Sequence, residues 1–383
     1  MKNERVKKKK TAKIVGIVLA LVIGLPLVTV GIYVIYVAAQ YYRIADNKVE
    51  TVERNSEQTV KLGEEYSVTS YNLGFGAYSP EYSFFMDTGV MKNGKSVKGK
   101  YAKGISKADV QKNVNGQIAT AVEIDADFCF FQEVDKKADR SYKINMLKSV
   151  TDKMSGYGYS YACNFHTAKL LYPFNDPIGK SVSGILSLSK YRVDSAMRRS
   201  FPITDAFIDK LFDLDRCFML QYLPIEGSDK QLVMLNLHMS AYDEGGKIRA
   251  KQLKMLNSVL KEERDKGNYV VAGGDFNHCL IADNFESDSE ALSYFPSNQK
   301  TPDWVKNSVL HNSELTEGFT ISASLNASTC RGADIPYKKG VNYSTVIDGF
   351  IVSDNIEVVT EYTHDTQYAY SDHNPVVMKF ILK

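Results

Sequence analysis

Five strand-like runs in this 383-residue chain finish in a carboxylate, an amide or an imidazole. They close on Asn72, Glu133, His238, Asp275 with Asn277, and Asp348. A sixth polar group, Ser371-Asp372-His373-Asn374, stands just before the last apolar run. Apolar strands that each end this way can converge on one site at the edge of their sheets. The residue types suit a definite chemistry. Carboxylates and amides hold hard cations and orient water, and imidazoles exchange protons near neutral pH. Each residue alone also has a plain structural use. Asn72 and Asp275 suit turns, Asp372 can cap the turn before Pro375, His238 can be a satisfied core histidine, and Glu133 can be a surface residue. Together, the plain reading needs six independent accidents.

The elements that must carry these groups are legible as periodicity. Residues 66–72 alternate and are rich in β-formers. Residues 127–134, 183–189, 231–238, 269–275, 346–352 and 376–382 read as further strands. Val110, Val114, Ile118, Ala121 and Val122 recur at helical spacing over residues 109–124, with Ser106 as N-cap. Leu253, Leu256 and Leu260 share one helical face over residues 248–260. Residues 77–104 have no period and read as a long loop, where function often sits. From residue 64 to 383 the composition is even, with no repeat and no linker, so this stretch reads as one large domain.

In order along the chain stand YN at 71–72, QEV at 132–134, LNLH at 235–238, GDFN at 274–277, IDGF at 347–350 and SDHNPV at 371–376. This series resembles the endonuclease/exonuclease/phosphatase superfamily. Gly184-Ile185-Leu186-Ser187 is similar to an internal strand of that family. The resemblance implies an α/β fold, a four-layer sandwich of two mixed sheets flanked by helices. It implies a metal-dependent phosphoester hydrolase using Mg²⁺ or Mn²⁺. Glu133 would bind the ion, Asn72 would help hold metal or phosphate, and Asp372 would be a second ligand. Asp275 and Asn277 would orient the attacking water and a non-bridging oxygen. His373 would act near the phosphate with Asp348 on its other ring nitrogen, and His238 would donate to the phosphate or leaving group. Residues 77–101 fit none of the substrate-reading patterns of that family. Arg249 and Arg331 remain candidates for contact with substrate phosphate.

Residues 14–39 form an uncharged run of 26 residues. A helix of that length reaches ~39 Å, enough to cross a ~30 Å hydrocarbon core. Tyr33, Tyr36, Tyr41 and Tyr42 gather at its far end, as an interfacial aromatic belt does. A signal peptide's apolar core is usually about 7–15 residues, which favours an anchor over a cleaved leader. The basic residues 1–13 carry +6, so with a total of +2 the remainder carries −4. The positive-inside rule then puts residues 1–13 in the cytoplasm, the rest outside a cell membrane, and residues 40–63 in a stalk. The mildly acidic body lacks the broad positive field of a general nucleic-acid binder. The expected partner is a phosphate ester (a lipid head group, an inositol or sugar phosphate, or nucleic acid), with the tether favouring a small or lipid-linked one. No obligate protein partner is expected. Alternatives are a surface nuclease and an inactive binding module of the same fold. Five scattered cysteines show no metal-ligand spacing and predict no essential disulfide.

Overall fold

The computed structural model describes residues 2–204, 215–241 and 246–383. Helix α1 spans Lys2–Gln40. The strands follow as β1 Lys48–Glu50, β2 Glu65–Asn72, β3 Thr88–Val90, β4 Ser96–Lys98, β5 Phe128–Asp135, β6 Gly158–His166, β7 Val182–Ser189, β8 Ser195–Ser200 and β9 Cys217–Pro224. They continue as β10 Gln231–His238, β11 Tyr269–Asp275, β12 Phe319–Ser322, β13 Cys330–Arg331, β14 Ser344–Thr345, β15 Asp348–Ser353, β16 Ile356–Thr363 and β17 Val376–Leu382. Helices α2 Lys107–Ile124, α3 Met146–Lys153 and α4 Lys247–Asp265 cover the sheets.

Two mixed sheets result. One runs β1-β8-β9-β10-β11-β15-β12, the other β16-β17-β2-β5-β7-β6. Both faces of their central strands are buried, which is why those strands read as unbroken apolar runs. Residue parity sorts the side chains. On β10, Leu232 and Met234 join a core shared with Val68, Phe128, Phe130, Val271, Phe350 and Met378 of both sheets. The alternate residues Val233, Leu235 and Leu237 pack outward with Leu256, Val259 and Leu260 of α4. On the other sheet, Phe131 and Leu186 pack outward with Val110, Val114 and Ile118 of α2 and Val150 of α3. The order helix, sheet, sheet, helix is the expected four-layer sandwich. Each fully buried Phe or Leu in these layers contributes about 1.5–3 kcal/mol. Helix α2 begins where Ser106 accepts the Asp109 backbone N–H.

Two expectations differ in detail. The segment expected as a stalk is part of the body. Strand β1 pairs with β8 from Lys48↔Arg198 to Glu50↔Ala196. Val60 is fully buried, and residues 53 and 60 bridge to Tyr159 and Ile225. A polar stretch can still complete a sheet edge, because edge strands bury one side only. The loop expected over residues 77–104 contains the β3–β4 hairpin and packs Tyr78 and Tyr82 into an aromatic cluster with Phe75 just before it. The five cysteines are unpaired.

Candidate active site

The inward-facing row of each central strand is apolar for most of its length and turns polar at one shared end. On β10 the row reads Leu232, Met234, Asn236, His238. On β2 it reads Tyr66, Val68, Ser70, Asn72, and on β11 Tyr269, Val271, Gly273, Asp275. Register aligns these ends. His238 pairs with Asp275 across β10 and β11, and Asp275 pairs with Asp348 across β11 and β15. Asp348 is thus the first residue of its strand, and the antiparallel direction of β15 brings it to the end where β11 finishes. Asn72 lies opposite Gln132. The polar groups are the mouth of the inter-sheet core.

Glu133 breaks parity. On β5 the odd positions 129 and 131 face outward, yet Glu133 comes within reach of Asn72. The cause is a bulge: the β5–β7 register shifts between Phe131 and Val134, and Glu133 has φ 55°. One extra residue in a strand re-aims the side chain next to it.

Asn72 is the hub of the site. Its Nδ2 donates to Asp275 Oδ2 at 2.9 Å and to Glu133 Oε1 at 3.3 Å. Its Oδ1 accepts the Gly74 N–H at 2.9 Å, so in this orientation the amide bridges two carboxylates and has no oxygen turned toward them. Gly74 has φ +47°, and a Cβ there would lie 2.6 Å from the Tyr78 ring and 2.8 Å from Asp372 Oδ1. Asp275 Oδ1 accepts the Asn277 N–H at 2.9 Å, and Asn277 Nδ2 donates to Met239 O. His373 Nδ1–H donates to Asp348 Oδ2 at 2.8 Å, and its Nε2 lies 3.8 Å from Asp275 Oδ2. His238 Nε2 lies 3.5 Å from that same oxygen.

Burial sets the charge states. It pushes the Asp275 carboxyl well up, and the neighbouring Asp348 carboxylate adds to this. Burial likewise raises Asp372 to about 6, against the pull of His373 and Arg331. For His373 burial disfavours the cation, but the Asp348 carboxylate outweighs it and holds the imidazolium well above the ordinary range. His238 is driven the opposite way, by burial and then by the Arg216 charge. It is neutral, so its contact with Asp275 is no ion pair. Four buried or half-buried carboxylates (Glu133, Asp275, Asp348, Asp372) surround one protonated histidine. That is an oxygen-rich donor set with excess negative charge, which fits a small hard divalent cation.

Of the residues singled out by sequence, Asn72, Glu133, His238, Asp275, Asn277, Asp348, Asp372 and His373 share this end of the sheets. Arg331 adjoins them: its backbone N–H donates to Asp372 O at 3.0 Å. Its guanidinium donates to Ser79 O and sits 5.5 Å over the Tyr337 ring. Arg249 belongs to α4 in the outer layer, 2% exposed, and donates to the carbonyls of Ala241 and Trp304. Three contributors had no role assigned to them from the sequence. The Ser371 hydroxyl donates to Asn72 O and accepts the His373 N–H, fixing the loop that holds His373. Thr329 Oγ1 accepts the N–H groups of Ile347 and Asp348. Asn236 Nδ2 donates to Leu186 O and Ser187 Oγ, while its Oδ1 accepts from Gln132, stitching the two sheets below the site. Only the inward parity of residues 132 and 236 could have found the last pair.

No family model matches the chain, and no curated protein matches it. Solved structures do. A crystal structure of an endonuclease/exonuclease/phosphatase from Beutenbergia cavernae matches with TM-score 0.51 and 14% identity, over 83% of this chain and 72% of that one. A crystal structure of ANGEL2, a 2′,3′-cyclic phosphatase, in complex with adenosine-2′,3′-vanadate matches with TM-score 0.51 and 15% identity, over 87% and 99%.

Proposed function

The chain has the endonuclease/exonuclease/phosphatase fold, and from that premise we propose that it is a divalent-metal-dependent phosphoester hydrolase held at a membrane by α1. One observation carries the reading most: Asn72, His238 and His373, from three different chain segments, all close on Asp275 Oδ2 of a fourth, at 2.9, 3.5 and 3.8 Å. A structural core has no need of an acid, two histidines in opposite charge states and three further carboxylates at one sheet end.

Hydrolysis forms one P–O bond from water and breaks one to the leaving oxygen. The water proton needs an acceptor. Asp275, its carboxyl raised by burial, takes it, while Asn277 steadies a non-bridging oxygen. His373, kept protonated by Asp348, faces the phosphate as a fixed cation. His238, neutral, donates a hydrogen bond to the leaving oxygen, which takes its proton from solvent as Asp275 releases the one it accepted. Glu133 and Asp372, with Asn72 beside them, would hold Mg²⁺ or Mn²⁺, which supplies positive charge against the phosphate oxygens. Ligand atoms of Asp275, Asp348 and His373 also lie within 4.8 Å of one another. The Asp348–His373 hydrogen bond occupies that trio, and an imidazolium repels a cation, so the ion belongs on the Glu133 side. Arg331, buried beside Asp372, adds positive charge next to the site.

The substrate is a phosphate ester met outside the membrane: a lipid head group, an inositol or sugar phosphate, or nucleic acid. The test is hydrolysis by the full chain in detergent, with Mg²⁺, Mn²⁺ or chelator. The panel is vesicle phospholipid, phosphoinositide, plasmid DNA and a generic phosphodiester. Cleavage that chelator abolishes and Glu133→Ala removes is expected. A folded chain that binds Mg²⁺ and cleaves none of these would instead be a binding module.

A further inference from the structure

The last turns of α1 are bound to the catalytic body, and the loop that binds them is exposed and aromatic. Tyr33 Oη donates to Lys169 O at 3.3 Å and accepts the Leu171 N–H at 3.0 Å. Tyr36 Oη accepts the Lys169 N–H at 3.3 Å. Val37 is buried against Ala168. The loop then turns outward: Leu171 is 41% exposed, Tyr172 59% and Phe174 86%. One exposed phenylalanine is ordinary on a protein surface, but Phe174 does not stand alone. Phe174 touches the Tyr172 ring, which touches Phe85 at 5.7 Å. Phe85 touches Phe84, and Phe84 touches Tyr78. Tyr78 lies against Gly74, next to Asp372. A row of five rings therefore leads from the candidate active site to the end of the apolar helix.

Helix length fixes the level of this loop. Residues 14–32 precede the first docked tyrosine, and their 19 residues span ~28 Å, which matches a ~30 Å hydrocarbon core. Tyr33 therefore sits where the hydrocarbon ends, and Leu171 is hydrogen-bonded to it. Strand register fixes the direction. The loop leaves β6 at His166, which pairs with Val182, and Ser183 pairs with Asp135 at the end of β5. Loop and site thus share one end of the six-stranded sheet. Lys169 and Lys180 bracket the apolar tip, as suits anionic head groups.

We infer that residues 168–176 are a second membrane contact, with Tyr172 and Phe174 seated in the head-group layer of the leaflet from which α1 emerges, so that the site opens toward lipid head groups. The inference rests on reading α1 as a membrane span. The patch is continuous with that span through three hydrogen bonds, which favours lipid over a protein partner.

The experiment uses the full chain in liposomes. Phe174→Trp puts a reporter at the tip. Leu62→Trp puts one at the opposite end of the sheets, 46% exposed just before β2 begins. Trp304, the chain's single tryptophan, gives the background to subtract. Lipids brominated near the head group are expected to lower the emission of the Phe174→Trp chain about twofold and leave the Leu62→Trp chain unchanged. Flotation with the liposomes but equal quenching at both positions, strong or absent, overturns the loop contact while leaving the anchor intact. A chain that fails to float with the liposomes overturns the anchor and this inference together. Phe174→Asp adds a second check. At so exposed a position it is expected to leave the midpoint of thermal unfolding unchanged while shifting the emission of a Tyr172→Trp reporter in liposomes to the red, and an unshifted emission would overturn the loop contact.

Discussion

At the scale of single residues, the site depends on how burial and neighbours divide the same chemical groups. Two histidines at one sheet end differ in charge: Asp348 keeps His373 cationic, while burial and then the Arg216 charge keep His238 neutral. Asp275→Asn keeps one acceptor oxygen for either the Asn72 or the Asn277 contact and removes the proton acceptor. His373→Ala removes the cation. Each is expected to lower kcat by about 10²-fold or more with the unfolding midpoint near that of the parent. Steady-state kinetics beside thermal unfolding checks this, and a near-normal kcat in a folded variant would remove that residue from the mechanism. Much of the site was readable at this scale, since each residue ended or adjoined an apolar run. Ser371 and Thr329 were not readable as supports. Their value lies in backbone groups that only the fold brings near: the carbonyl of Asn72, and the amides of Ile347 and Asp348. Arg249 was not decidable from sequence, because a cation on an amphipathic helix looks the same whether it meets substrate or caps carbonyls.

At the scale of elements, strand ends become a site through register, and register depends on close approach. Gly274 has φ +148°, and a Cβ there would lie 2.0 Å from Leu237 O on the paired strand. Gly274→Ala is expected to destabilise by more than about 1 kcal/mol, because the backbone conformation disfavours any side chain and the parallel β10–β11 pair has nowhere to move. Chemical denaturation would show it as a lower midpoint with unchanged slope. An unchanged midpoint would mean that the pair opens without cost. The same comparison explains what sequence reading saw and missed. Strands buried on both faces, such as β10 and β11, stand out as continuous apolar runs. Strands β8 and β16 show no continuous apolar run because charged residues interrupt them: buried Arg198 and half-buried Arg199 on one, exposed Glu357 and half-buried Glu361 on the other. The bulge that re-aims Glu133 leaves no compositional mark, since QEV reads as ordinary strand.

At the scale of the whole molecule, one buried acid has no part in the site. Glu361, on edge strand β16, lies opposite Met378 of the inter-sheet core. Its Oε1 is buried with no partner among the described residues, and burial alone pushes its carboxyl up to about 8. The folded state therefore holds this proton more tightly than the unfolded chain, where the group titrates near 4.5. Stability is then fully present below about pH 4.5 and falls as pH rises toward 8. Glu361→Gln should remove that slope and stabilise the protein above pH 8 by about 1–3 kcal/mol, a figure discounted for the group's partial exposure. Denaturation midpoints of both proteins from pH 5 to about 9 test this, and parallel curves would mean that the carboxylate finds solvent.

The junction between helix and body has a consequence for kinetics. Between Gln40 and β1 there is almost no free chain. Arg43 pairs with Asp215, the Ile44 N–H donates to the same carboxylate, and Asp46 accepts from Ser200 and Arg199. With α1 in lipid as proposed, a hydrolase body fastened so tightly to it would not sample the bulk. It would work in two dimensions, where effective concentration is set by reach. Its rate would follow the number of substrate molecules per unit area of membrane, so diluting the lipid surface with inert lipid would slow it while diluting the suspension with buffer would not.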